Sequence, residues 1–214
     1  MTEPEWLRCD DPLRLLKSLR AGRWWRSFLP RRLDGWRANA RKMRLLACAY
    51  ERMLGPADGP YLRHVLATAE RYADGEATIA ELQDRTHDPG AIRLAAVDDQ
   101  VIPTFKWREE NWGYVRRDLT DWATRRMRLS RLLRCLFNPF RPAAINASCL
   151  VWNNGTVVKL ARTIYEDGWW ELMPILGDAS EDSGCTKETV LSHCRSEGPH
   201  FRGCWVVDLL LEKE

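Results

Sequence analysis

Leu119-Thr120-Asp121-Trp122-Ala123-Thr124-Arg125-Arg126-Met127-Arg128-Leu129-Ser130-Arg131-Leu132-Leu133-Arg134-Cys135-Leu136-Phe137 closes the longest periodic segment of the chain, which begins near Thr104. Trp112, Val115, Leu119, Trp122, Leu129, Leu132 or Leu133, and Leu136 recur at helical spacing and so share one face. The other face is basic, carrying Arg116, Arg117, Arg125, Arg126, Arg128, Arg131 and Arg134. Asn138-Pro139-Phe140-Arg141-Pro142 stops the helix with two prolines, each lacking the N–H that a further turn needs.

Working back from this segment, the same pattern repeats. Asp11 is placed to cap a helix that opens on Pro12, where the missing N–H costs nothing, and Leu13, Leu15, Leu16 and Leu19 form its stripe. Asp34 precedes a helix to about Leu54, Pro60 starts another that ends at Asp74-Gly75, and Thr78-Ile79-Ala80-Glu81 is a capping box for a short one. Ala91 to Val97 reads as helical too.

Beyond Pro142, Thr156–Asp167, Trp170–Asp182, Thr186–Arg195 and Gly203–Glu212 read as four short helices, with Val151-Trp152-Asn153 as a short extended piece. The expectation is an all-α protein of eight to nine helices: a helical bundle with a compact C-terminal helical subdomain. A basic N-terminal domain spans 1–137 and an acidic C-terminal subdomain 138–214.

Charge follows that division. Residues 1–58 hold 13 Lys/Arg against 7 Asp/Glu and residues 100–141 hold 10 against 4, whereas 142–214 hold 6 against 11. Basic faces of this kind meet either the acidic quarter of the same chain or an acidic partner. The stretch Arg23-Trp24-Trp25-Arg26-Ser27-Phe28-Leu29-Pro30-Arg31-Arg32 interleaves rings with guanidinium groups. That is the composition in which arginine binds phosphate and tryptophan stacks on bases. Arg23, Trp24, Trp25, Arg26, Arg31, Arg32, Arg125 and Arg128 are therefore the candidate residues for nucleic acid or another acidic partner. The competing reading makes the rings core and the arginines solvated.

Seven cysteines at scattered spacing, no charged-then-apolar leader at Met1 and no apolar run long enough to cross a bilayer suggest a reducing cytoplasm with no membrane anchor. Three of those cysteines and two of the four histidines fall between Gly184 and Trp205. Zinc takes four tetrahedral nitrogen or thiolate ligands, and Cys194, His200 and Cys204 with either Cys185 or His193 supply that number. The set Cys185, Cys194, His200 and Cys204 is the candidate metal site, although the usual opening Cys-x2-Cys half is absent. The alternative is packing, with Cys185 and Cys194 as small buried hydrophobes. His193-Cys194 is not a nucleophile–base dyad, because neighbours in sequence point apart on a helix.

Glu5-Trp6-Leu7 with Cys9 and Asp11-Pro12, Arg41-Lys42-Met43-Arg44-Leu45-Leu46-Ala47-Cys48, Glu70-Arg71-Tyr72-Ala73-Asp74-Gly75, and the run His193-Cys194-Arg195 through Gly198-Pro199-His200 to Arg202-Gly203-Cys204-Trp205-Val206-Val207-Asp208-Leu209-Leu210 resemble a family of bacterial proteins. That family is expanded in large genomes and has no established activity. Relatives usually read Ala-Cys-Cys-Arg-Arg where this chain has Ala47-Cys48-Ala49-Tyr50-Glu51, and the insert around Trp24-Trp25 is longer here. The resemblance implies no catalytic residue.

No nucleotide loop, paired carboxylates, Ser-His-Asp ordering or complete metal motif appears. The leading expectation is a non-catalytic interaction or regulatory module that binds another protein. Nucleic-acid binding through the Arg/Trp patch is the alternative, and a C-terminal structural zinc domain is the second.

Overall fold

A computed structural model describes residues 1–21, 35–53, 60–84, 122–142 and 144–213. These residues form an all-α protein, with ten α-helices and no strand among them. The helices are α1 (Glu3–Arg8), α2 (Pro12–Ala21), α3 (Gly35–Met53), α4 (Pro60–Ala73), α5 (Ile79–Asp84), α6 (Trp122–Leu136), α7 (Ala147–Asp167), α8 (Met173–Asp182), α9 (Glu188–Cys194) and α10 (Trp205–Leu211). A 3-10 turn, Trp170–Leu172, leads into α8. Among the described residues, no helix is long and apolar enough to cross a membrane.

Two compact units result: Asp10–Ser130, and Met1–Cys9 together with Arg131–Glu214. The division lies within α6, and Pro139 marks only that helix's end.

Local chemistry accounts for the first unit's boundaries. Asp11 Oδ1 accepts from the backbone N–H of Leu13 at 3.0 Å and of Arg14 at 3.3 Å, satisfying two donors that the first turn leaves open. Thr78 and Glu81 close the capping box: Thr78 N–H donates to Glu81 Oε2 at 2.7 Å and Glu81 N–H to Thr78 Oγ1 at 3.2 Å. Cys48, Leu66, Ala69 and Leu82 join α3, α4 and α5 in one buried cluster, with Tyr72 at its edge. Arg52 grips Glu70 with two hydrogen bonds, at 2.7 and 2.9 Å, and Arg41 holds Asp74 at 2.8 Å, so two ion pairs fix the pairing of α3 with α4.

The second unit buries Leu132, Leu133 and Leu136 of α6 among its core side chains, with Ile164 of α7, Met173 and Leu176 of α8, and Trp205 and Val206 of α10. Trp6 of α1 is fully buried as well, and Arg134 donates to the Cys9 carbonyl at 2.6 Å, tying the N-terminal segment to α6. The extended piece expected at Val151-Trp152-Asn153 is a kink. Asn146 caps a helical turn from Ala147, and Asn153, Asn154 and Gly155 then all adopt left-handed backbone, with φ of 46°, 59° and 75°. The helix resumes at Thr156 and ends at left-handed Gly168.

Candidate metal centre

Helix α9 separates two adjacent side chains. At about 100° per residue, Cys194 and His193 point to different neighbours. Cys194 packs on α8 at Gly177, where an added Cβ would sit 3.0 Å from the Cys194 Cβ. Burial pushes the Cys194 thiol well above its ordinary range, with Cys204 and Cys185 nearby adding to the shift. His193 turns instead toward the start of α10, placing Nε2 3.3 Å from Cys204 Sγ.

The loop from α9 to α10 delivers the next two groups. Ser196 closes α9 by donating from N and Oγ to the His193 carbonyl, at 3.2 and 2.8 Å. Gly198-Pro199 then leads to buried His200. Gly203, at φ 92°, supplies the left-handed turn that brings Cys204 to the N-cap of α10, with Cys204 N–H donating to the Phe201 carbonyl at 2.8 Å. His200 Nδ1 faces Cys204 Sγ at 3.9 Å and Cys135 Sγ, from the last turn of α6, at 3.8 Å.

Cys135, His193, His200 and Cys204 thus present four ligand atoms that all lie within 4.8 Å of one another. A tetrahedral zinc with Zn–S about 2.3 Å and Zn–N about 2.0–2.1 Å has ligand–ligand edges of about 3.3–3.8 Å. The three nitrogen–sulfur separations of 3.3, 3.8 and 3.9 Å lie near those edges, and every other pair of ligand atoms is within 4.8 Å. This Cys2His2 cluster has the geometry to hold a metal ion. Burial pushes the Cys204 thiol up, but Cys135, His193 and His200 around it more than reverse that effect and hold it well below its ordinary range.

The rings pack as a unit, His193 lying edge-on to His200 with centroids 5.0 Å apart and 5.2 Å from Trp205. The buried His200 ring turns Nδ1 toward both sulfurs. A cavity of about 340 Å³ borders the cluster and is lined by Cys135, His193 and His200 but not by Cys204.

The ligand set therefore differs from the sequence reading at two positions. His200 and Cys204 are in the cluster and His193 joins them, whereas Cys194 faces Gly177 and Cys185 sits in the turn after α8, its N–H bonded to the Ser180 carbonyl at 3.0 Å. Both are buried and pack as small hydrophobes. Cys135 was missed because its partners lie more than fifty residues along the chain, and only the packing of α6 on the α9–α10 loop reveals them.

Of the candidate nucleic-acid or partner residues, Arg23, Trp24, Trp25, Arg26, Arg31 and Arg32 lie outside the described residues, as does the Arg125 side chain; Arg128 is exposed on α6. Compared with known proteins, the chain matches no protein-family model, no curated protein and no solved structure.

Proposed function

We propose that this chain is a non-catalytic binding module whose second unit is built around a structural zinc ion, with Cys135, His193, His200 and Cys204 as ligands. The convergence of their four ligand atoms within 4.8 Å carries this reading. Two thiolates and two imidazoles suit zinc, and four protein ligands complete its tetrahedron, leaving no position for a reactive water. Such an ion builds structure: its binding free energy is shared with folding, because the unfolded chain does not assemble the site. That role fits a protein that presents a surface to another protein and does not transform a small molecule.

Metal analysis of the purified chain tests the zinc reading. One zinc per chain, replaceable by cobalt with the visible spectrum of a tetrahedral thiolate site, is the expected result. A chain that takes up no metal when refolded with zinc ends the proposal. Capture of a protein partner by the zinc-loaded chain, lost on chelation, tests the binding role.

A further inference from the structure

Resting on the zinc reading, one feature sets this centre apart from a sealed structural site: three of its four ligand residues line the neighbouring cavity. At about 340 Å³ it has room for several small molecules, water occupying about 30 Å³ each in the liquid. Cys135 and His193 form part of its wall, Arg131 and Arg134 stand along it, and Glu3 and Glu197 are its acidic members. Cys204 is absent from the lining and fully buried.

We infer that Cys135 is an oxidation site, at which a hydroperoxide entering this cavity converts the zinc-bound Cys135–Cys204 thiolate pair to a disulfide and expels the metal. The Cys135 thiolate attacks the distal peroxide oxygen and breaks the O–O bond, giving a sulfenic acid and hydroxide. The Cys204 thiolate then attacks the Cys135 sulfur, forming the S–S bond and releasing a second hydroxide. In total, two thiolates, one hydrogen peroxide and two protons give one disulfide and two waters. The sulfurs lose two electrons and the peroxide gains them. Two imidazoles alone remain, and the zinc dissociates.

Geometry selects this pair. The two sulfurs start within 4.8 Å, and a disulfide needs about 2.0 Å, a closure within reach of side-chain movement as Cys135, oxidised to the sulfenic acid, loosens from the metal. Cys185 and Cys194 neither belong to the cluster nor line the cavity. Cys135 is buried, 3% exposed, but borders the cavity, whose lining also includes Arg131 and Arg134, so the cavity is its route to an oxidant.

The test uses the full zinc-loaded chain with hydrogen peroxide as oxidant, a chromogenic chelator to follow zinc, and non-reducing peptide mapping. Zinc release in step with a Cys135–Cys204 disulfide, reversed by reductant plus zinc, is expected. Ser192→Phe, which fills the cavity from an exposed position, and Arg131→Glu, which reverses a charge on its wall, should each slow release several-fold while still binding one zinc. Zinc retained under peroxide, a disulfide through Cys185 or Cys194, or unchanged rates in both variants overturns the inference and leaves the zinc reading intact. A chain that binds no zinc at the outset fails at that reading instead.

Discussion

His193 Nε2 stands 3.3 Å from Cys204 Sγ, joining the last turn of α9 to the N-cap of α10. Together with Cys135 and His200 this contact defines a ligand set that can be separated from its rivals by single substitutions. Cys135→Ser and Cys204→Ser should abolish zinc binding at micromolar metal and lower the melting temperature. Cys185→Ser and Cys194→Ala should retain one zinc per chain. Zinc retention in Cys135→Ser together with loss in Cys185→Ser would restore the set suggested by the sequence alone.

Gly177 is required for how closely α8 and α9 approach. In a helix interior, Gly→Ala normally gains about 0.5–1 kcal/mol, since alanine loses less backbone freedom on folding. Here the new methyl would meet Cys194 Cβ at 3.0 Å, and overpacking of this kind costs about 1–3 kcal/mol. The clash outweighs the propensity, so Gly177→Ala should destabilise the chain in denaturant titration. Because the obstacle is a Cβ, the Cys194→Ala background should not rescue it.

Legibility in the sequence followed the range of the interaction. Asp11-Pro12, Thr78 with Glu81, and Gly168 act through bonds to residues a few positions away, and each does in the structure what its local chemistry suggests. The centre is not local. His193, His200 and Cys204 are drawn together by one short loop, but Cys135 arrives on a different helix and carries no neighbouring ligand to mark it. Helix α10 shows a second limit. Helical spacing puts Trp205, Val206, Leu209 and Leu210 on one face, yet Val207 and Asp208 are buried too and Leu209 only partly, because the unit encloses this helix on most sides. The first part of α7 begins at Ala147, before the expected extended piece at Val151-Trp152-Asn153, because Asn146 caps a helical turn that the left-handed Asn153, Asn154 and Gly155 then interrupt.

Asp74 is the acidic half of the better-buried of the two ion pairs described between α3 and α4: its side chain is 1% exposed and that of Arg41 10%. Removing one partner of a buried pair leaves the other charge uncompensated and typically costs about 3–5 kcal/mol. Asp74→Ala should therefore cost at least about 3 kcal/mol by chemical denaturation. The double substitution Asp74→Ala with Arg41→Met should cost less than the sum of the two single changes, since it removes the stranded guanidinium as well.

Asp11 provides a pH test with a defined sign. Partial burial works to raise its pKa, but the backbone N–H of Arg14, the Arg126 guanidinium 2.8 Å away and the backbone N–H of Leu13 more than offset this, leaving it below the ordinary value of 3.8. A carboxylate with a depressed folded-state pKa contributes stability that is present above its unfolded pKa and lost as pH falls through the folded one. The contribution should thus be full at neutral pH and fade only below about pH 3.8. Most of it is the helix cap, because the side chain is 44% exposed and the exposed ion pair is screened by solvent. Asp11→Ala should cost about 1 kcal/mol at pH 7, the usual value for a lost N-cap, whereas Asp11→Asn, which still caps, should cost a fraction of that. Denaturation curves recorded from neutral pH down to strong acid should show the gap between wild type and Asp11→Ala begin to narrow only in that acidic window. Convergence beginning near pH 6 would contradict the lowered pKa of Asp11, and an Asp11→Asn loss as large as that of alanine would mean that charge and not capping holds the start of α2.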